Sequence, residues 1–149
     1  MRILKWAIGL CLALLLTGCF GENYDFSPPT VSLVDPNNIS EETELAKANV
    51  KWDYDKKYNK KTDDINSLAQ KQEPIKLKSG QQVDFLIEDG HFDPDGISIV
   101  LSKNQKKIDL EVKNEQTFSV PKEKGEYLIE VNLNSDKGKA QYVGEIIIQ

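Results

Sequence analysis

Cysteine is nearly missing from this 149-residue chain, which holds only Cys11 and Cys19. Everything after Cys19 is therefore without disulfides, thiolate metal sites and cysteine nucleophiles, and its core has to be held by packing alone. Histidine is as scarce: His91 is the only one, which leaves little for a hydrolase triad or a zinc site. No glycine-rich phosphate cradle, nucleophile elbow or metal-binding helix motif occurs, so neither an enzyme nor a cofactor is expected. Positive charge is also in deficit, with 19 basic against 24 acidic residues and a net −5. That balance argues against nucleic acid as a partner. Finally, there is no glycine between Gly21 and Gly80, whereas six follow from Gly80 onward, so tight turns should concentrate in the second part.

What is present begins with Arg2 and Lys5, followed by an uninterrupted apolar or weakly polar run over 6–16. Eleven residues suit the h-region of a signal peptide and fall short of the roughly 20 that a transmembrane helix needs. The run closes on Leu16-Thr17-Gly18-Cys19, an apolar anchor, two small residues and a thiol. This motif resembles the lipobox of bacterial lipoproteins. The resemblance implies cleavage between Gly18 and Cys19, covalent diacylglycerol on Cys19, and a chain held on the outer face of a bacterial cell membrane. Buried methylenes contribute about 0.8 kcal/mol each, and two chains anchor stably where one does not. Removing 1–18 leaves 131 residues carrying 17 basic and 24 acidic side chains, a net −7. Membrane contact should then come from the lipid rather than from a polybasic grip.

Residues 19–29 are polar, aperiodic and end in Pro28-Pro29, and read as a lipid-anchored linker. The rest, 30–149, reads as one domain. A first strand is expected over 30–34, ended by Asp35-Pro36-Asn37-Asn38. Segment 40–49 (SEETELAKAN) has acids in its first turn and helix formers after, which predicts a short helix. Val50, Trp52 and Tyr54 alternate with charged residues as a strand does; Trp52 either fills the core or stacks on a sugar. The charged run 56–64 (KKYNKKTDD) reads as a solvated loop, with contact to an anionic wall polymer as the sharper alternative, and a second helical turn is expected over 65–72.

From Pro74 onward short apolar alternations recur between turn signals: Ile75 and Leu77; Val83, Phe85 and Ile87; Ile97, Ile99 and Leu101 after Asp95-Gly96; Ile108, Leu110 and Val112; Phe118 and Val120; Tyr127 to Leu133; Tyr142 to Ile148. With the two earlier strands the count is about nine. Strands so spaced, without intervening helices, predict an all-β antiparallel sandwich with one or two short helices. Lys124-Gly125-Glu126-Tyr127-Leu128-Ile129-Glu130-Val131 is similar to the sixth strand of immunoglobulin-like and fibronectin-type domains. There a Gly-x-Tyr start places a tyrosine at the corner between sheets with its hydroxyl bonded back to nearby backbone. The resemblance covers about 75–149. Ile129 stands where antibody-type domains carry their second cysteine, so a bacterial module of the immunoglobulin-like class is implied rather than an antibody-like one.

One cluster carries chemistry-bearing groups: Glu88-Asp89-Gly90-His91-Phe92-Asp93-Pro94-Asp95-Gly96. Hard carboxylate oxygens suit calcium, and Asp89, Asp93 and Asp95 are the candidate ligands. The EF-hand spacing is not met, because its first position would be His91 and its twelfth Ser102. Asp-Pro-Asp-Gly also suits a simple turn. Two function classes follow. The first is a non-enzymatic binding or structural module of the cell envelope, monomeric, contacting an envelope protein or cell-wall polymer. The alternative is a calcium- or small-ligand-binding lipoprotein that uses loop 88–96.

Overall fold

The computed structural model of the chain describes residues 27–36 and 38–149. The expected signal segment, Gly18, Cys19 and most of the linker lie outside the described residues. Eleven strands and one helix are described: β1 (Thr30–Asp35), β2 (Asn38–Glu44), β3 (Ala46–Asp53), β4 (Lys57–Lys60), α1 (Ile65–Gln70), β5 (Ile75–Leu77), β6 (Gln82–Glu88), β7 (Pro94–Lys103), β8 (Lys106–Leu110), β9 (Thr117–Ser119), β10 (Gly125–Ser135) and β11 (Gly138–Ile148). They form a four-stranded sheet ordered β2-β1-β6-β9 and a larger one ordered β4-β3-β11-β10-β7-β8, with β5 alongside β11. Pairing is antiparallel except for β5, which runs parallel to the end of β11. The all-β, mainly antiparallel expectation therefore holds, with β5 its one departure among the described residues.

Period-two alternation explains the core. Val31 and Leu33 of β1, Val83 and Phe85 of β6 and Phe118 of β9 face inward from the smaller sheet. They meet Ile99 and Leu101 of β7, the odd-numbered residues Tyr127 to Leu133 of β10, and Tyr142 and Ile146 of β11. Trp52 is buried in the same cluster, so it fills the core rather than offering a face to a sugar. Besides Asn114 (φ 50°) with Glu115 (φ 62°), left-handed turns are made by Asp89 (φ 65°) with Gly90 (φ 82°) and by Asn104 (φ 49°) with Gln105 (φ 65°). The latter closes the β7–β8 hairpin as a two-residue loop of the primed type.

Three local expectations are corrected. Segment 40–49 is not helical but forms β2 and the start of β3, with Leu45 alone between the two sheets. Helix propensity is a weak prior. The open edge of β1 accepts β2 in register (Ser32 opposite Glu44, Val34 opposite Glu42), and an edge strand tolerates Glu41, Glu42 and Glu44 in solvent. Segment 56–64 is solvated as expected, yet its centre is the edge strand β4, because β3 offers it a ladder from Val50–Lys60 to Asp53–Lys57. Pro94 to Gly96 is not a turn either: it begins β7, where a proline's missing N–H does no harm.

Helix α1 starts at the N-cap Asp64, whose Oδ1 accepts from Ser67 N at 3.0 Å and whose Oδ2 accepts from Ser67 Oγ at 2.7 Å. These bonds hold the carboxyl below its ordinary range. The helix covers the outer face of the larger sheet, where Ala69 packs on Ala48 and Val143, flanked by Ile65, Leu68 and Leu128. Small residues at the contact let helix and sheet approach closely.

Two tyrosine hydroxyls tie chain segments to the sandwich. Tyr127 donates to the carbonyl of Glu123 at 2.9 Å, the local bond expected of that strand start. Tyr142, fully buried on β11, donates to the carbonyl of Pro29 at 2.7 Å and so fixes the point where the chain enters β1. Burial pushes its phenol well above the ordinary value of 10. A raised phenol pKa means that the unfolded chain loses its proton first, so stability is level below pH 10 and falls above it. The fall should approach about 1.4 kcal/mol per pH unit. Tyr142→Phe should abolish that component of alkaline unfolding, measured by denaturant melts from pH 8 to 12, while lowering stability at pH 7 by about 1–3 kcal/mol because the Pro29 carbonyl loses its partner. An unchanged alkaline slope in the variant would remove Tyr142 as its source.

Candidate functional site

The β6–β7 loop, residues 89–93, stands at the end of the sandwich where the chain enters. The carbonyl of Ser27 lies against Gly90, within 3.4 Å of where a Cβ would be. Phe92 leans its ring edge on buried Trp52, with centroids 5.4 Å apart and planes at 78°. The β10–β11 turn holds the loop from the other side. Asp93 N donates to Asp136 Oδ1 at 2.9 Å, and Asp136 N donates to the carbonyl of Asp93 at 3.2 Å. Asp136 Oδ2 pairs with Lys137 Nζ at 2.7 Å, and that ammonium sits 4.8 Å from the centre of the Tyr54 ring. The pairing lowers the Asp136 carboxyl and raises the Lys137 ammonium from their ordinary values, with the Asp93 N–H adding to the former. A shallow cleft of about 430 Å³ results, lined by Tyr54, Gly90, His91, Phe92, Asp93, Asp136 and Lys137.

The calcium candidates do not converge there. Asp89 holds a left-handed turn, Asp93 is tied through its backbone, and Asp95 belongs to β7. All three are exposed, and among the described residues no three His, Cys, Asp or Glu side chains form a group that could hold a metal ion. His91 is exposed on the same loop. Among the described residues the cluster is thus a set of neighbours along the chain, two in the 89–93 loop and one on β7, that form no metal-holding group.

A second cleft opens at the mouth between the sheets. About 730 Å³ is lined by Phe85, Ile87, Ile97 and Val112 below and by Asp95, Asn114 and Glu115 at the rim. Its floor continues the core, because Ile87, Ile97 and Val112 are only partly covered.

Sequence reasoning missed the polar system on the outer face of the larger sheet. Glu130 is only 6% exposed, although alternation along β10 turns it away from the core. Its carboxylate accepts from Gln141 Nε2 at 3.1 Å and Ser102 Oγ at 3.4 Å and faces Lys107 Nζ at 3.7 Å. Gln141 in turn accepts from Asn49 Nδ2 at 2.6 Å, and Asn49 accepts from Thr62 N at 2.8 Å. The chain of bonds crosses the sheet from β8 to the segment after β4. Every buried side-chain polar atom among the described residues has a partner, and this network ties the strands of the larger sheet together. Beside it, Lys51 and Lys139 stand directly opposite one another on β3 and β11, flanked by Asn59 and Asn134. No signal in the linear sequence puts these four residues in one row.

No protein-family model matches the chain, and no curated protein does. Among solved structures, a crystal structure of an engineered protein matches 52% of this chain at 9% identity and a TM-score of 0.37. The chain spans about 18% of that protein's length. Among the described residues no helix is long and apolar enough to cross a membrane.

Proposed function

We propose that the chain is a lipid-anchored module on the outer face of a bacterial cell membrane, a non-enzymatic domain that binds or organises another component of the envelope. The observation that carries this reading is Leu16-Thr17-Gly18-Cys19 behind a basic start and an eleven-residue apolar run. Cys19 is the acylated residue and Gly18–Cys19 the cleaved bond. The sandwich is of the immunoglobulin-like kind. The Tyr127–Glu123 bond at the head of β10 and the β10–β11 hairpin that closes the domain support that assignment. Folds of this type serve many unrelated roles, so the role is argued from the anchor and the exposed faces. The chain enters β1 beside the 89–93 loop, where the Pro29 carbonyl accepts from Tyr142 and Ser27 lies against Gly90, and that end is taken as the one nearer the lipid. The part of the larger sheet's outer face that α1 leaves uncovered, around Lys51 and Lys139, is then the surface offered to the envelope.

Cell fractionation of Cys19→Ala tests the anchor. The wild-type chain should sediment with membranes and take up labelled fatty acid. The variant should appear soluble or as unprocessed precursor without label. Unchanged labelling of the variant would sink the reading.

A further inference from the structure

The β3–β4 hairpin concentrates positive charge in an acidic chain. Residues 46–62 carry six lysines against two aspartates, a net +4 in a chain whose total is −5. Lysines on the edge strand β4 have an ordinary explanation, since charge on an exposed edge deters edge-to-edge pairing. That explanation fails for Lys51 and Lys139. Both β3 and β11 are interior strands of the larger sheet, with β4 on one side and β10 on the other. Val50, Trp52 and Ala140 point into the core, so Lys51 and Lys139 project from the outer face. Directly opposed like charges on paired strands destabilise a sheet. Among the described residues no carboxylate forms an ion pair with either lysine, and both are exposed. A local arrangement that works against folding marks a place where another requirement sets the sequence.

Asn59 is in register with Lys51, and Asn134 with Lys139. The row Asn59–Lys51–Lys139–Asn134 therefore crosses four strands, about 14 Å at the usual inter-strand spacing. Two positive point charges flanked by two amides make a flat anion-binding subsite with donors at each end. Arginine forks suit planar carboxylates, whereas a lysine ammonium binds a phosphate as a point charge. The chain's single arginine is Arg2, and it lies in the expected leader.

We propose that this row binds a polyanionic chain bearing repeated phosphate groups, with Lys51 and Lys139 sharing one phosphate and Asn59 and Asn134 donating to its neighbours. The idea that such a polymer is met at the cell surface rests on the anchor reading, whereas the row itself does not. The test is made on the full-length chain in a non-ionic detergent, applied to immobilised long-chain inorganic polyphosphate over a range of salt concentrations. The wild-type chain should be retained, with affinity falling as salt rises. Lys51→Gln with Lys139→Gln should weaken retention about tenfold and flatten the plot of log K against log salt by about two. The melting temperature of that double variant should stay level or rise as the repulsion is relieved. Lys76→Gln with Lys113→Gln removes the same charge elsewhere and should change retention little. Absence of wild-type retention, equal losses in the two double variants, a lowered melting temperature in the first, or stronger retention on duplex DNA than on polyphosphate would each overturn the proposal. None of these outcomes depends on Cys19, so failure of the lysine row and failure of the anchor are separable.

Discussion

Gly138→Ala should lower stability by about 3 kcal/mol or more, the sum of a backbone held where only glycine is at ease and of lost ladder bonds. Gly138 opens β11 at φ 141°, opposite Trp52 on β3. A Cβ at this position would collide with the carbonyl oxygen of Lys51 and sit 3.2 Å from the Cα of Trp52. Both are backbone atoms of the neighbouring strand, so no rotamer change relieves the contact. The strand would have to move, and with it the bond from Asp53 N to the carbonyl of Lys137 at 2.8 Å. For a domain of this size about 3 kcal/mol corresponds to a fall in melting temperature of about 12 °C. Gly125 supplies the internal control. Its φ is 143°, but the nearest atom to a Cβ there is Lys103 Nζ at 2.6 Å, the far end of a flexible side chain. Gly125→Ala should therefore show the backbone strain plus the displacement of the Lys103 ammonium from the exposed Glu123 carboxylate and the Lys124 carbonyl, and cost clearly less. Equal losses in the two variants would mean that strain, not the strand contact, sets the cost at Gly138.

Leu45→Ala should cost about 3 kcal/mol, within the range for a leucine removed from a packed interior. Leu45 is 1% exposed and is the single residue between β2 in one sheet and β3 in the other. Its backbone N–H reaches the carbonyl of Val31 at 2.8 Å, which pins the corner, and its side chain fills the space over Gly144. A Cβ on residue 144 would lie 2.7 Å from Leu45 Cδ2 and in ordinary contact with Ile129 and Ile75. Gly144→Ala alone should thus destabilise by forcing Leu45 aside. Combined with Leu45→Ala, the new methyl occupies part of the vacated space, and the two losses should fall short of their sum by about 1 kcal/mol or more. Strict additivity in denaturant melts would show that the corner is not closed by this contact.

Much of the fold was legible because burial here follows strand alternation. The inward rows at Val83 and Phe85, at Ile99 and Leu101, and along β10 are visible as apolar residues two apart. Trp52 showed its strand for the same reason. Segment 40–49 misled because its residues favour helix locally while the decisive partner, the edge of β1, is supplied by a distant part of the chain. Pro94-Asp95-Gly96 misled in the opposite sense: it has turn composition, but Asp89 and Gly90 had already reversed the chain, so it could run on as strand. Ile75 and Leu77 marked β5 as a strand, but its parallel pairing left no trace, since three residues carry too short a pattern to show direction.

Of the candidate sites, loop 88–96 was visible as composition, though its carboxylates form no metal-holding group among the described residues, while the Lys51–Lys139 row was invisible as composition and exists only through register. Residues 88 positions apart become cross-strand neighbours only when β11 is laid beside β3. The same holds for Glu130, whose burial depends on Gln141 and Lys107 arriving from other strands. Anchoring, by contrast, is a property of adjacent residues, which is why Leu16-Thr17-Gly18-Cys19 carries the functional proposal without the fold.

Cys19 is proposed to become the acylated first residue of the working protein. Intact-mass and N-terminal peptide spectrometry of the protein extracted from membranes of a bacterial host tests it most directly. The expected result is a chain beginning at Cys19 and bearing diacylglycerol on the thiol. A chain beginning anywhere else, or a Cys19 without lipid, would contradict it.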